Sequence, residues 1–238
     1  MKALILNSGL GFRMGVLTKE HPKCMTDISD NETILSRQLK LLVAAGVNNV
    51  VMTTGYFDQV LISYCQSLGM PCNYEFVKNP IYDQSNYIYS IYCARHILRD
   101  QDILLMHGDL VFELSVLMDL LNSSQSCMKV SSTLPLPEKD FKAVVEDGFV
   151  KKVGVEFFGN NAIEAQALYK LNKREWNIWL DKICEFCESG NYKCYAEVAL
   201  NQISDMCRIT AFDVKDRLCA EIDTPEDLEV IKKKLASM

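Results

Sequence analysis

Two glycines, an arginine and a lysine follow the first apolar run of this 238-residue chain: Leu6-Asn7-Ser8-Gly9-Leu10-Gly11-Phe12-Arg13-Met14, then Leu17-Thr18 and His21-Pro22-Lys23. Glycines let a backbone turn its N–H groups inward and approach phosphate oxygens closely. Arg13 and Lys23 add the fixed positive charge that a triphosphate and a developing pyrophosphate require. A bare G-x-G is a common turn, but its combination with both basic residues points to the phosphates of a nucleotide. The sequence has no G-x-x-x-x-G-K-[ST], which sets aside the phosphate-loop NTPases. A dinucleotide fingerprint needs a third glycine and an immediate helix. Here a long loop through Met25 precedes the next helical pattern, near Ile34.

Three carboxylates lie far from this loop in sequence. Asp109 follows Gly108 at the end of an apolar strand pattern, at the sheet edge where open α/β folds bind ligands. Glu221 and Asp223 flank Ile222, so an extended backbone turns both to one face. Taken singly, Asp109 reads as a turn residue and Asp223 as an acid preceding a helix. Beside the glycine loop they read as ligands for Mg²⁺, a hard ion that prefers oxygen. The candidate catalytic residues are therefore Arg13, Lys23, Asp109 and Asp223, with Asp109, Glu221 and Asp223 on the metal. Such a set suits in-line attack of a phosphate or phosphonate oxygen on an α-phosphorus, expelling pyrophosphate. That nucleophile is already ionised, so the chemistry demands no histidine or cysteine base.

The elements that must position these residues alternate in the first half. Strands are expected at Ala3–Leu6, Val50–Thr54, Tyr74–Val77 and Ile103–Met106. Helices are expected from Ile34 to Gly46, from Val60 to Gly69 and over Tyr87–Leu98. This rhythm implies an α/β, Rossmann-like fold: a mostly parallel central sheet with helices on both faces. After about residue 125 strands are expected at 129–134, 142–145 and 149–155, with Asp147-Gly148 as a hairpin turn. Helices over 176–187 and 195–203 and strands over 209–214 and 219–222 follow. A last helix is announced by Thr224-Pro225-Glu226-Asp227, an N-cap, a first-turn proline and acids at the positive dipole end. One domain over 1–238 is expected. Residues 1–125 form its nucleotide-binding half, 126–218 a small β-rich and helical acceptor-binding part, and 219–238 the metal motif with the closing helix.

Composition limits the partners. Twenty-five basic against 31 acidic residues give a formal charge of −6, which argues against nucleic acid or an anionic membrane. No apolar run reaches the roughly 18 residues of a bilayer span, and the short opening run is no signal peptide. A soluble, cytoplasmic protein is expected, and nothing in the sequence argues against a homo-oligomer. The ten cysteines are scattered, with one C-x-x-C at Cys184 and Cys187 in a helical pattern. Reduced core thiols are expected rather than a zinc site.

The loop and the Pro22-Lys23-Cys24-Met25 run resemble the L-A-A-G-x-G-x-R-[ML]…P-K-x-[LM] signature of the nucleotidyltransferases that activate sugar phosphates and phosphocholine. Asn7-Ser8 replaces the two alanines, and Val16 the proline of P-L-T. By this resemblance the fold is GT-A-like, Asp109 matches the family's G-D metal aspartate and Glu221-Ile222-Asp223 its E-x-D motif. Residues 6–13 and Lys23 then bind nucleotide. Asn79-Pro80, Ser85-Asn86-Tyr87-Ile88-Tyr89-Ser90, Thr54-Gly55-Tyr56 and Ala167–Leu171 resemble the phosphocholine cytidylyltransferase-like branch. That implies CTP as the favoured nucleoside triphosphate, with Gly55, Tyr56, Asn86 and Ser90 holding the nucleotide. The implied acceptor is of the phosphocholine, phosphoethanolamine or 2-aminoethylphosphonate type. Lys142 resembles a family lysine that contacts phosphate. An ammonium headgroup wants an aromatic cage or a carboxylate, for which Tyr169, Tyr195 and Glu197 are candidates beside Phe158, Trp176 and Tyr192. The rival reading is a hexose-1-phosphate nucleotidyltransferase making an NDP-sugar, disfavoured by the short second half.

Overall fold

The computed structural model describes residues 1–238. Its first half contains β1 (Lys2–Leu6), β2 (Asp27–Ser29), β3 (Glu32–Thr33), α1 (Ile34–Ala44), β4 (Asn49–Thr54), α2 (Asp58–Ser67), β5 (Asn73–Lys78), α3 (Tyr87–Leu98), β6 (Ile103–His107), β7 (Leu110–Phe112) and α4 (Leu114–Asn122). The second half contains β8 (Cys127–Ser131), β9 (Lys142–Glu146), β10 (Phe149–Gly154), β11 (Ala162–Leu171), α5 (Lys173–Glu188), α6 (Ala196–Asn201), β12 (Thr210–Asp213), β13 (Cys219–Glu221) and α7 (Pro225–Ala236). No helix is long and apolar enough to cross a membrane.

One nine-stranded sheet, in the order β5-β4-β1-β6-β11-β8-β12-β10-β9, runs through both halves. The strands β5, β4, β1 and β6 are parallel to one another, as the alternating pattern requires. Beyond β6 the sheet becomes mixed: β11 pairs antiparallel with β6 and β8, and β12 returns parallel to β8. Because β9 pairs with both β10 and β11, the strands β11-β8-β12-β10-β9 close a circuit. The hairpin between β9 and β10 turns at Asp147-Gly148 with φ of 50° and 79°. Positive φ at both turn residues matches the twist of the flanking strands.

Alternation along the parallel strands divides the core. Ala3, Ile5, Val50, Met52, Leu104 and Met106 face α1, α2 and α4, where Leu39, Leu61 and Leu117 meet them. Leu4, Leu6, Val51 and Leu105 face α3, α5 and α6, where Ile91, Trp176, Trp179 and Leu200 meet them. A smaller cluster joins Met14, Ile28 and Ile34 to Val111, Ile222, Leu228 and Ile231. It ties the glycine loop and the Glu221/Asp223 segment to α7. That helix has the expected Thr224 cap, closed into a box by Asp227.

The structure differs from the sequence expectations at four elements. The strand expected at 129–134 is β8, over 127–131. The strand ends at Ser131, whose hydroxyl donates to the Lys215 carbonyl, and the next N–H, that of Ser132, donates to Asp213 Oδ1. The longest strand, β11, was not expected: Glu164, Gln166 and Lys170 within it are buried and interrupt the apolar pattern. Helix α4 also went unread. The helix expected over 195–203 is shorter, with Tyr195 as the non-helical residue before α6.

Candidate active site

Residues 7–9 leave the end of β1 and pass between two other strand ends. A Cβ on Gly55 would stand 2.4 Å from the Ser8 carbonyl, and one on Gly108 1.7 Å from Asn7 Oδ1. Both glycines therefore serve the close approach of neighbouring strand ends to the loop. Phe12–Thr18 then winds as a 3₁₀ segment and brings Arg13 back over the strand ends. The loop forms one wall of a cleft of about 510 Å³, with Ser85, Asn86 and Ser90 from the start of α3 opposite it.

The floor of that wall is a chain of hydroxyls and an amide. Ser8 Oγ lies 2.6 Å from Ser90 Oγ, and the Asn79 amide donates to Ser90 Oγ at 3.0 Å and to Ser85 Oγ at 2.9 Å. Asn86 caps α3 by accepting from the Tyr87 N–H at 2.7 Å. These bonds fix the loop and α3 relative to each other. Asn7 Nδ2 is buried without a partner beside the cleft.

The expected charged residues converge from three distant segments. The Lys23 ammonium lies 2.5 Å from Asp109 Oδ2 and 2.6 Å from Asp223 Oδ1, and Arg13 Nη1 lies 2.8 Å from Asp223 Oδ2. Burial works against the Lys23 charge, but the two aspartates overcome it and hold its pKa above the ordinary value. Burial likewise works against the Asp109 charge. Lys23 and His107 outweigh it, so the Asp109 carboxyl sits below the usual range. Its second oxygen, Oδ1, is buried and has no hydrogen-bond partner.

Glu221 meets a residue that motif reasoning passed over. His107 Nδ1 lies 3.0 Å from Glu221 Oε1. Burial depresses the imidazole pKa, but the Glu221 hydrogen bond and charge, with Asp109 and Glu197, raise it to about 9. Burial and the Asp109 charge push the Glu221 carboxyl up. Asp140 is a second unexpected acid: single carboxylate oxygens of Asp140, Glu221 and Asp223 lie within 4.8 Å of one another, as do ligand atoms of His107, Asp109 and Glu221. Burial and the neighbouring Asp223 raise the Asp140 carboxyl as well. A donor set dominated by carboxylate oxygens, with an orphaned oxygen on Asp109, fits a hard divalent cation.

Of the residues singled out from sequence, Leu6, Asn7, Ser8, Gly9, Gly11, Phe12, Arg13, Lys23, Asn86, Ser90, Asp109, Tyr195, Glu221 and Asp223 line the cleft. The others do not. Leu10 is not among the lining residues, Gly55 packs against the Ser8 backbone, and Tyr56 is exposed against Phe57 and Tyr82. Lys142 is buried; its ammonium donates to the Pro137 carbonyl at 2.8 Å and the Glu138 carbonyl at 3.3 Å, and stands over the Phe158 ring. It pins the loop that carries Asp140 and Phe141 into the cleft. Tyr169 and Trp176 belong to the core. Glu197 is buried behind the cleft, its Oε1 accepting from the Tyr169 hydroxyl at 3.0 Å and its Oε2 from the Tyr87 hydroxyl.

Tyr87, His107, Phe141 and Tyr195 come together in the wall of the cleft instead. Tyr87 lies 4.8 Å from His107 and 5.8 Å from Tyr195, and Phe141 5.2 Å from Tyr195. The sequence carried a faint signal for two of them, since His107 precedes Gly108-Asp109 and Phe141 precedes Lys142. It carried none for Asp140.

Comparison with known proteins agrees with this geometry. The profile of the MobA-like NTP transferase domain matches residues 3–133. A CTP:phosphoglutamine cytidylyltransferase of Campylobacter jejuni is 28% identical over 181 residues, 70% of each chain. A CMP-5'-(3-aminopropyl)phosphonate synthase of Streptomyces rubellomurinus is 33% identical over 138 residues, 57% of this chain but 21% of that longer protein. Among solved structures, the CTP:phosphocholine cytidylyltransferase of Streptococcus pneumoniae superposes with a TM-score of 0.79 over 98% of both chains at 17% identity. A UDP-glucose pyrophosphorylase does so with a TM-score of 0.80 over 99% of this chain and 98% of that one, at 16% identity. At such identities these two structures speak for the fold alone. The glycine loop, the basic pair and the profile covering more than half the chain agree, and the chain belongs to the MobA-like NTP transferase domain family of nucleotidyltransferases.

Proposed function

We propose that the protein is a Mg²⁺-dependent cytidylyltransferase that moves CMP from CTP to a small phosphate or phosphonate bearing an amino or quaternary ammonium group, releasing pyrophosphate. The observation that carries the reading is the Lys23 ammonium between Asp109 and Asp223, beside the glycine loop and Arg13. Asp109, Glu221 and Asp223 would hold the ion, with Asp140 within reach. When bound, it supplies charge neutralisation and alignment for the phosphates of both substrates.

The chain's own groups divide the remaining work. The cleft-lining backbone of Ser8, Gly9 and Gly11 and the free Asn7 amide would receive incoming phosphate oxygens. Lys23 and Arg13 offset the charge that develops on pyrophosphate as the α–β phosphoanhydride bond breaks. The acceptor oxygen forms the new bond to the α-phosphorus and needs no proton removed. The rings of Tyr87, Phe141 and Tyr195 exclude water from the far end and offer faces to an ammonium group. Relatives named for phosphoglutamine and aminopropylphosphonate support an amine-bearing acceptor over a hexose phosphate.

Pyrophosphate release measured across CTP, UTP, GTP and ATP tests the reading, with phosphocholine, 2-aminoethylphosphonate and glucose-1-phosphate as acceptors. The expected result is release with CTP and an amine-bearing acceptor, abolished by a chelator and restored by Mg²⁺. Release with glucose-1-phosphate alone would transfer the assignment to the hexose-1-phosphate class.

A further inference from the structure

Glu197 is 1% exposed, lies behind the cleft wall rather than in it, and is bonded to Tyr87 and Tyr169. Its two oxygens accept from the hydroxyls of Tyr169 and Tyr87; burial pushes the carboxyl above its ordinary value, and the His107 charge and these hydrogen bonds offset that only in part. Tyr169 is buried in the core, whereas Tyr87 presents its ring to the cleft next to Tyr195. His107, whose ring abuts Tyr87, gives its Nδ1 to Glu221 rather than to Glu197. A headgroup seated among Tyr87, Phe141 and Tyr195 thus meets aromatic rings, with the Glu197 carboxyl directly behind one of them and the His107 imidazole, paired with Glu221, beside it. A carboxylate accepting the Tyr87 hydroxyl makes that ring face more negative, and its field acts through a medium of low polarity.

We propose that Glu197 is a specificity-determining residue that selects a cationic over a neutral acceptor headgroup, acting through Tyr87 and by its field rather than by contact. This rests on the cytidylyltransferase reading for the reaction served, but the binding preference is measurable without turnover. A neutral headgroup of the same shape gains nothing from the carboxylate.

The test is isothermal titration of wild-type protein and Glu197→Gln with two matched pairs. One is phosphocholine with its carbon isostere 3,3-dimethylbutyl phosphate; the other is 2-aminoethylphosphonate with propylphosphonate. Glutamine keeps polar atoms for both tyrosine hydroxyls and removes the charge. Wild-type protein is expected to bind the cationic member of at least one pair about tenfold tighter than its isostere. Glu197→Gln is expected to lose that preference, with its affinity for the neutral member and its melting temperature kept. Equal weakening of cationic and neutral ligands would make Glu197 a structural anchor and overturn the proposal. So would a wild-type protein that shows no preference or binds neither pair. Should Glu197→Gln fail to fold, Tyr169→Phe keeps the carboxylate and must keep the preference; a natively folded Tyr169→Phe without it also overturns the proposal. Absence of pyrophosphate release alongside an intact preference breaks the cytidylyltransferase reading and leaves this inference standing.

Discussion

The two halves of the molecule use charged side chains in opposite ways. In the first half, strands run parallel and the charged residues that matter lie just past their ends: Arg13 and Lys23 after β1, Asp109 after β6. There they face the cleft and one another. In the second half, apart from Asp140, Glu221 and Asp223, which also reach the cleft, charged residues lie within or beside strands and are consumed by the structure. Lys129 on β8 and Glu164 on β11 form a buried ion pair at 2.5 Å, with the Gln166 amide 3.1 Å from Glu164. Lys142 holds two loop carbonyls, and Lys170 donates to the Ser123 carbonyl at 2.9 Å. The difference teaches that a charge beyond a strand end is available to a ligand, whereas a charge inside a sheet must be neutralised where it stands.

The largest expected effect tests the first half. Asp109→Asn should lower kcat/KM about a thousandfold or more, with its melting temperature close to wild type because Lys23 retains Asp223. Activity within tenfold of wild type would remove Asp109 from the proposed metal site.

The second half should respond in stability rather than chemistry. Lys129→Met leaves Glu164 buried without its cation and should cost about 3–5 kcal/mol in urea unfolding. Adding Glu164→Leu should recover most of that loss, and kcat per folded molecule should stay near wild type in the double variant. A double variant as unstable as the single one would break the contrast.

A smaller effect separates the two readings of Lys142. If it holds the 137–141 loop, Lys142→Met should cost about 1–3 kcal/mol of stability through its unpaired carbonyls and leave the KM for the acceptor within a few-fold. A large rise in that KM with unchanged stability would restore Lys142 as a phosphate ligand.

The smallest effect concerns acid stability. Burial pushes the Asp213 carboxyl up, but hydrogen bonds from the Ser132 hydroxyl and the Ser132 and Lys215 amides outweigh it, leaving the pKa below the ordinary value. A depressed folded pKa contributes stability above the unfolded value, about 4, and loses it as pH falls through the folded value. Asp213→Asn should therefore be less stable than wild type at pH 7, with the gap closing below about pH 4. A gap unchanged down to pH 2 would contradict this.

The phosphate side of the site was legible because its parts are local. Gly9, Gly11, Arg13 and Lys23 fall within fifteen residues, directly after a strand whose apolar run has little competing interpretation. The four parallel strands and their helices were legible for the same reason of regular alternation. The wall proposed for the acceptor was not, apart from Tyr195. Glu197 and Tyr169 have the residue types an ammonium site needs, but they bond each other behind the wall. The actual wall combines Tyr87 from α3, His107 from β6, Phe141 from a loop and Tyr195 from before α6. Nothing in the spacing of those residues shows that they meet.

The sequence by itself determined which reaction class the chain can serve, since a glycine loop, two cations and three carboxylates are defined by residue type and by position after strands. It also determined the hairpin at Asp147-Gly148 and the cap of α7, where conformation depends on neighbours in the chain. Only the tertiary structure decided which carboxylates share a site, adding Asp140 and His107 and holding Lys23 between Asp109 and Asp223. It also decided which polar residues are spent on the interior, Lys129, Lys142, Glu164 and Glu197 among them. The physical reason is that a charge finds its partner across the sheet by pairing register and desolvation, and both depend on the packing of segments distant in sequence.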